Sequence, residues 1–193
     1  MKGKFAYSLL LTALLGVCLP GCYRSYGPVS YQTLDTLLTS GRLESYGAYY
    51  KHEGIRYNVV SLDLYSKGLG LNDEGLMEGV GTNLYISDIF ITTATPRADS
   101  LPDYLPEGTY RSDTTAELSH FLCGLDYDGH YGGSYVLLKG ETGYKVYPLT
   151  EGEMTVAYCG DTLVLDGQAR LQGQRQVYPF HYRDVLPIIH REQ

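Results

Sequence analysis

The sequence has no tryptophan and only four phenylalanines, although 20 of its 193 residues are tyrosine. Basic residues are also few: 15 lysines and arginines stand against 22 aspartates and glutamates, which gives a formal net charge of −7. Because nucleic-acid binding depends on clustered basic residues, this composition argues against a nucleic-acid partner. The length suits one domain and a targeting segment.

Signatures of catalysis are missing as well. The sequence contains no His-Glu-x-x-His, Gly-x-Ser-x-Gly, Walker-type loop or Cys-x-x-Cys motif. Its five histidines are scattered, at positions 52, 120, 130, 181 and 190. We therefore predict that the protein is not an enzyme and uses no cofactor. The alternative is a hydrolase, which would be recognised by histidines and aspartates that converge in one cleft.

Long apolar runs are rare, and the one that stands out lies at the N-terminus. Lys2 and Lys4 precede an apolar stretch over Phe5–Leu19. This stretch is short for a membrane span, which takes about 20 apolar residues. A basic start followed by a short apolar run is typical of a secretory signal peptide.

The motif that follows this run is more specific. Leu19-Pro20-Gly21-Cys22 resembles the lipobox of bacterial lipoproteins, in which the signal is cleaved just before a cysteine that carries diacylglycerol. The resemblance implies a lipoprotein signal peptide over residues 1–21 and a lipidated, palmitate-bearing Cys22 that anchors the protein in a membrane. An ordinary secretory signal that contains cysteines is the alternative.

The residues after Cys22 bear on where the anchored protein lies. Lipoproteins of Bacteroidetes that are exported to the cell surface tend to carry an acidic run directly after the lipidated cysteine. Here the sequence reads Tyr-Arg-Ser-Tyr-Gly-Pro, without an acidic residue. We therefore expect an outer-membrane lipoprotein that faces the periplasm. Loss of Lys2 and Lys4 with the signal leaves 13 basic against 22 acidic residues, a formal charge of −9.

The chain after the signal divides into a tether, a β-domain and a tail. Residues 22–46 are predicted to be a tether with a short helix over Tyr31–Thr39, because the leucines there have helical spacing and Ser40-Gly41 would end the helix. Residues 47–187 form the predicted domain, and residues 188–193 a loose C-terminal tail.

Within the domain, apolar and polar residues alternate with a period of two, which indicates β-strands. Loops are expected over Lys67–Gly81 and Gly124–Gly133, and tight turns at Glu151-Gly152 and Asp166-Gly167. The predicted strands include Arg56–Ser66, Asn83–Ala94, Ser134–Glu141, Tyr144–Leu149, Glu153–Cys159, Thr162–Leu165 and Gln168–Tyr182. This pattern predicts an all-β fold, an antiparallel meander of about 8–9 strands closed as a β-sandwich or a calycin-like β-barrel.

The order of several short motifs carries a second resemblance. The motifs are Tyr49-Tyr50, Asn58, Gly108-Thr109-Tyr110, Glu151-Gly-Glu-Met-Thr-Val156, Gly160-Asp-Thr162 and Asp166-Gly167. Over residues 47–183, together with the lipobox, the chain resembles a broad group of small Bacteroidetes lipoproteins with β-sandwich or calycin-like barrel domains. Most members of this group have no assigned function. The resemblance therefore implies a fold and an anchor but no catalytic residues.

Two cysteines remain if Cys18 is removed with the signal and Cys22 is lipidated. Cys123 and Cys159 each end an apolar run and precede a glycine. The periplasm is oxidising, so a disulfide between them is feasible. Two buried free cysteines, which behave as small apolar residues, fit the sequence equally well.

One acidic segment has features of a metal site. Asp126-Tyr-Asp128-Gly129 places carboxylates at alternate positions before a glycine, as at the start of a Ca²⁺-binding loop. Such a loop needs a bidentate acid further along, and position 137 is leucine. An Asp/Gly turn whose side chains bond to their own backbone is much commoner, so no metal site is predicted.

The tyrosines leave two interpretations open. Tyrosine suits half-buried strand positions because it has an apolar ring and a polar hydroxyl, which explains most of the 20. A row of tyrosines on an exposed face would instead anchor a protein partner or stack on sugars.

These observations favour a lipid-anchored, non-enzymatic β-domain that binds or scaffolds a partner at the outer-membrane/periplasm interface. One alternative is a lipocalin-like carrier of a small apolar ligand, whose barrel would enclose a cavity rather than packed side chains. Another is a pilus-type adhesin subunit that polymerises by strand exchange after proteolysis, with Arg42 as the cut site.

Overall fold

The computed structural model describes residues 33–52, 55–93 and 103–191, and it describes the side chains of these residues except at 48–52, 55–56 and 92–93. The predicted signal peptide, Cys22 and the first part of the tether lie outside the described residues.

The described regular structure is β throughout, which confirms the predicted all-β class. Its strands are β1 Leu37–His52, β2 Ile55–Ser66, β3 Leu69–Leu71, β4 Met77–Gly79, β5 Gly81–Thr93, β6 Gly108–Asp113, β7 His120–Leu122, β8 Leu125–Tyr127, β9 His130–Gly132, β10 Tyr135–Lys139, β11 Tyr144–Cys159, β12 Thr162–Leu171, β13 Tyr178–Asp184 and β14 Ile188–His190.

Seven of these strands form a closed barrel. Their order is β10-β5-β2-β1-β13-β12-β11, and β11 pairs with β10 to close the ring. Of the two closures that the sequence allowed, the barrel is therefore the one that forms. Closure removes the open sheet edges that otherwise invite pairing with other chains.

The long strand β11 changes its neighbour along its length. Its first half pairs with β10, and its second half pairs with β6 through the register Met154↔Tyr110. Strand β7 lies parallel to β6, and the amide of Ser119 donates a hydrogen bond to the carbonyl of Phe90 in β5 at 2.8 Å. At this end of the barrel, β6 and β7 thus fill the space between β11 and β5.

The first and last strands join through a parallel seam. Leu37 pairs with His181 of β13, and further along β1 Leu43 pairs with Ile188 of β14. The offset between the paired residues grows by one between these two points, because the chain bulges between β13 and β14. The predicted loose tail over residues 188–193 is therefore wrong for Ile188–His190, which form a strand.

The barrel interior is filled by side chains. Successive side chains along a strand point to opposite faces of the sheet, so Leu62 and Leu64 of β2 point inward and Asp63 between them points outward. Burial of one such leucine or phenylalanine contributes about 1.5–3 kcal/mol. The contiguous buried cluster draws on every barrel strand, and its members include Leu43, Leu62, Leu64, Leu84, Ile86, Val136, Met154, Val156, Leu165, Phe180 and Tyr182.

The predicted helix over Tyr31–Thr39 is wrong where the structure describes it. Residues 33–36 have no regular structure, and β1 begins at Leu37, ten residues before the predicted domain boundary at 47. Leu38 is buried in the barrel while Leu37 beside it is exposed, which is the alternation of a strand. Gly41 does not end a helix: a Cβ there would lie 2.6 Å from the carbonyl oxygen of Asp63, so glycine permits close approach of β1 to β2.

The two tight turns predicted at Glu151-Gly152 and Asp166-Gly167 are also wrong, since both lie inside continuous strands. Gly167 pairs with Phe180, and a Cβ at Gly167 would lie 2.3 Å from the Phe180 ring. The glycine therefore makes room for an aromatic ring, one of the uses of glycine within a strand.

Two segments that were predicted as loops contain short hairpins. Residues 67–81 hold β3 and β4, and residues 124–133 hold β8 and β9. Both hairpins form small sheets of their own beside the barrel.

Candidate functional site

The predicted lipidation site, Cys22, lies outside the described residues. The other two cysteines are separated by most of a strand. The thiol of Cys123 donates a hydrogen bond to the carbonyl oxygen of Thr150 in β11 (Sγ–O 3.5 Å), whereas Cys159 is the last residue of that strand. The extended chain between Thr150 and Cys159 spans roughly 25–30 Å at about 3.3 Å per residue. A disulfide needs Cα atoms within about 7 Å, and both thiols are free in the structure.

Three of the described histidines, His120, His181 and His190, have separate local partners. Nδ1 of His181 lies 2.6 Å from Oδ1 of Asp166 across the β12–β13 pair, and Nε2 of His190 lies 3.1 Å from Oδ1 of Asp103. Nδ1 of His120 contacts the carbonyl oxygen of Leu118 at 2.9 Å. Within the part of the chain that the structure describes, no three His, Cys, Asp or Glu residues are grouped so that they could hold a metal ion.

Many of the tyrosines are structural. Tyr178 donates a hydrogen bond to the carbonyl of Asp35, Tyr158 to that of Leu105 and Tyr110 to that of Pro106, with distances of 2.6–2.9 Å. Each bond ties a strand to a neighbouring connection, and burial raises the pKa of Tyr110 to about 12. For these residues the structural interpretation is the one that the geometry favours.

Other tyrosines are exposed, and two of them lie on the β8–β9 hairpin. This hairpin has a two-residue loop, Asp128-Gly129, in which both residues have positive φ, 52° and 86°. The amide of Gly129 donates a hydrogen bond to Oδ1 of Asp126 at 2.9 Å. This is the geometry of a type I′ turn, which suits a tight hairpin and which Asp-Gly favours. The segment that resembles the start of a Ca²⁺ loop is thus an Asp/Gly turn, as the sequence predicts.

The base of the hairpin is fixed to the barrel. The amide of Gly124 donates to the carbonyl of Leu149 at 2.7 Å, and the amide of Leu149 donates to the carbonyl of Ser134 at 3.0 Å. The hydroxyl of Ser134 also accepts a hydrogen bond from the amide of Ser87 in β5 at 2.9 Å. A Cβ at Gly133 would lie 2.0 Å from the carbonyl oxygen of Cys123, so the two ends of the hairpin pass in close contact. An isolated hairpin is only marginally stable, and this mounting holds it in place.

The outer part of the hairpin exposes large side chains. Tyr127 is 67% exposed, and Leu125 and Tyr131 are exposed as well. Leu125 and Tyr127 lie on one face of the hairpin, while Tyr131 lies on the other face opposite Asp126. The hairpin is bonded to the barrel at its base, and its three large exposed side chains lie outside the buried core. We name Leu125–Gly132 the tyrosine hairpin, and it is the first candidate site.

The second candidate is an ion-pair cluster on the outer face of β1 and β2. Nη2 of Arg42 lies 2.9 Å from Oε1 of Glu44 and 3.2 Å from Oδ2 of Asp63. Glu44 also pairs with Arg191, which follows β14, and accepts a hydrogen bond from the Tyr46 hydroxyl at 2.7 Å. Glu44 and Asp63 are only 5% and 7% exposed, so both carboxylates are largely removed from water.

The two carboxyl groups have pKa values that shift in opposite directions. Burial raises the pKa of Asp63, although hydrogen bonds from Tyr65 and Asn83 and the charge of Arg42 act against the shift. Burial also favours a higher pKa at Glu44, but the hydrogen bonds from Arg191 and Tyr46 and the charge of Arg42 outweigh it and lower the pKa. Perturbed pairs of this kind occur at active sites and also in structural networks.

The ion-pair cluster has the character of a structural network. Nδ2 of Asn83 donates to Oδ1 of Asp63 at 2.7 Å, and Asn83 is fully buried. Through Glu44 the cluster joins β1 to Arg191, and through Asp63 it joins β2 to β5. Because both carboxylates are enclosed and already bonded to donors within the cluster, the tyrosine hairpin is the stronger candidate for contact with a partner.

Sequence reasoning missed both sites. The signal for the tyrosine hairpin was present, because Asp128-Gly129 between Tyr127 and Tyr131 is a strong hairpin pattern. The ion-pair cluster had a weaker signal, namely a single charged residue, Asp63, between two leucines of a predicted strand. Such a residue is exposed unless another part of the fold covers it, and that depends on tertiary structure.

Comparisons with known proteins add no assignment: no family model, curated protein or solved structure matches the chain. Among the described residues, no helix has the length and apolar character needed to cross a membrane.

Proposed function

We propose that the protein is a lipid-anchored, non-enzymatic barrel that binds a partner at the outer-membrane/periplasm interface. The observation that carries the proposal is the tyrosine hairpin, which is hydrogen-bonded to the barrel at its base and whose Tyr127 side chain is 67% exposed. Tyrosine supplies a large contact area at low entropic cost and is enriched at protein interfaces. The predicted lipid at Cys22 would hold the barrel at the membrane.

The filled interior favours binding on the outside over carriage of a ligand. A carrier encloses a cavity lined by apolar groups, whereas here Leu62, Ile86, Met154 and Phe180 belong to one contiguous buried cluster. A ring of seven strands is also narrower than the eight-stranded barrels that hold one small ligand. The likeness to calycin-like barrels is thus proposed for the architecture alone.

The pilus-type alternative gains no support from the position of Arg42. This residue lies within β1, paired with Asp63 of β2, and its guanidinium bonds Glu44 and Asp63. Proteases cut preferentially at exposed loop tips. Cleavage after Arg42 would require this wall of the barrel to open first.

The anchor is tested with the full chain in cells that carry out lipoprotein processing. We expect the wild-type protein to incorporate labelled palmitate and to sediment with membranes, and C22S to do neither. The matched control is C18S, which should behave as the wild type. Palmitate incorporation by C22S would contradict the anchor at this position.

Partner binding is tested by placing a photo-reactive phenylalanine analogue at Tyr127 in the full chain. We expect a discrete crosslinked species on illumination. The control position is Tyr144, which is 71% exposed but lies outside the hairpin. Equal crosslinking from both positions, or none from Tyr127, would argue against a partner at the hairpin.

A further inference from the structure

The charge around the tyrosine hairpin is one-sided. From residue 112 to residue 138 the sequence contains four acidic residues, Asp113, Glu117, Asp126 and Asp128, and no lysine or arginine. Two of these acids lie on the hairpin itself, and both are exposed. One oxygen of Asp126 accepts the turn bond from Gly129, and Asp128 is the first residue of the two-residue loop at the tip.

Carboxylates next to tyrosine rings can bind cationic side chains. A guanidinium or ammonium group pairs with a carboxylate and is also attracted to the face of an aromatic ring. Tyr131 lies opposite Asp126 in the hairpin, and Tyr127 directly precedes Asp128. Tyr131 therefore has the Asp126 carboxylate beside it on the same face, whereas Tyr127 lies opposite His130 and is followed by Asp128 at the turn.

The negative charge of the hairpin disfavours binding to anionic or purely apolar partners. Anionic lipid surfaces and nucleic-acid backbones would be repelled by the hairpin, and the chain after the signal has a formal charge of −9. A neutral apolar groove would gain contact with the tyrosines but would leave the aspartates without compensation. Charge complementarity thus selects one kind of occupant.

We infer that the tyrosine hairpin docks on a protein segment that carries exposed arginines or lysines, with the aspartates pairing the cations and the tyrosines stacking on them. This inference deepens the proposed function and rests on it, since it names the chemistry of the partner. The fixed hairpin base means that little ordering is needed on binding, which favours affinity.

The test uses the purified chain from Tyr23 onward and two short fluorescent peptides, one alternating arginine with serine and the other alternating glutamate with serine. Fluorescence anisotropy is measured at low and at high NaCl concentration. We expect the arginine peptide to bind at low salt, the glutamate peptide not to bind, and added salt to weaken the binding.

Matched variants separate the hairpin from the general negative charge. D126N/D128N and Y127A should each weaken binding of the arginine peptide about fivefold or more, as for loss of an interface hot spot. The controls are D73N/D161N, which removes two exposed carboxylates elsewhere, and Y144A, which removes an exposed tyrosine elsewhere. Both controls should change the Kd less than twofold, which is below the effect of one hot spot.

The variants at the turn preserve its geometry, because Asn-Gly favours the same type I′ turn as Asp-Gly. Equal weakening by D73N/D161N would overturn the inference, since binding would then follow total charge. So would binding of the glutamate peptide, or hairpin-dependent binding to vesicles of anionic lipid. Crosslinking from Tyr127 in cells without any arginine-peptide binding would overturn the charge inference and leave the proposed function standing.

Discussion

At the scale of single residues, the ion-pair cluster shifts the pKa values of two neighbouring carboxyl groups in opposite directions. Asp63 has its pKa raised by burial, whereas hydrogen bonds from Arg191 and Tyr46 and the charge of Arg42 overcome burial at Glu44 and lower its pKa. A raised acid pKa means that the folded state binds the proton more tightly than the unfolded state does. Stability from Asp63 is then greatest at low pH and falls as the pH rises, and the reverse holds for Glu44.

These directions predict opposite pH profiles for D63N and E44Q. As the pH rises from about 3.9, the ordinary aspartate value, the wild type should lose stability relative to D63N. As the pH falls through about 4.3, the ordinary glutamate value, the wild type should lose stability relative to E44Q. The measurement is the free energy of unfolding by urea for the three proteins from about pH 3.5 to about pH 7, a range that includes both ordinary values. Profiles with the same sign for both variants would contradict this account of the cluster.

The cysteines give a second prediction at this scale. Cys159 is exposed at the end of β11, whereas Cys123 follows β7 and is half-buried beside Thr150, so both should react as free thiols in the folded protein. With a thiol reagent, the chain from Tyr23 onward should show a fast reaction at Cys159 and a slower one at Cys123. The variant C159S should retain the slow phase alone. An unreactive protein whose mass falls by about two daltons, the loss of two thiol hydrogens, would show a disulfide instead.

At the scale of elements, glycine explains most of the difference between prediction and structure. The sequence pattern correctly placed β2, β5 and β10, whose alternation is regular, but it read Gly41, Gly152 and Gly167 as signals to stop. In the fold each glycine lies inside a strand, because its missing Cβ lets another backbone or a ring approach. A turn and a close approach both require glycine, and only the tertiary neighbour tells them apart.

Gly167 offers a direct test of this explanation. In G167A the new methyl group would meet the Phe180 ring, so we expect the free energy of unfolding to fall by about 1–3 kcal/mol, the usual cost of overpacking. The matched control is G143A, whose methyl group would meet no atom within 4 Å. G143A should leave stability unchanged or raise it slightly. Equal stability of G167A and the wild type in urea unfolding would contradict the close approach of the Phe180 ring as the reason for glycine at this position.

The tyrosine hairpin and the C-terminal strand β14 also show that local sequence features can be predicted, whereas pairing with distant residues cannot. Ile188–His190 form β14 only because the second half of β1 offers an edge beside them, and nothing local in those residues predicts a parallel pairing. The hairpin, in contrast, was within reach of sequence reasoning, since its Asp-Gly turn is a local feature. Its fixed base was not, because the bonds at Leu149 and Ser87 are distant in sequence.

At the scale of the whole molecule, the protein is a barrel whose interior is filled by side chains and whose exposed tyrosine hairpin is the proposed binding surface. The all-β class could be predicted from the sequence, because most of the chain alternates with a period of two, but the choice between a sandwich and a barrel stayed open. The seven-stranded ring could not be predicted, since it depends on β11 pairing with β10 in one half and with β6 in the other. The lipid anchor and the partner remain proposals that the sequence motivates and the exposed hairpin supports.

The most direct test of this account is native mass spectrometry of the chain from Tyr23 onward, purified gently from cells. A filled barrel predicts the mass of the bare chain, with no small molecule that leaves on denaturation, and bound protein partners as the additional species. A small apolar molecule that stays through purification and is lost only when the chain unfolds would contradict the account and place the function inside the barrel.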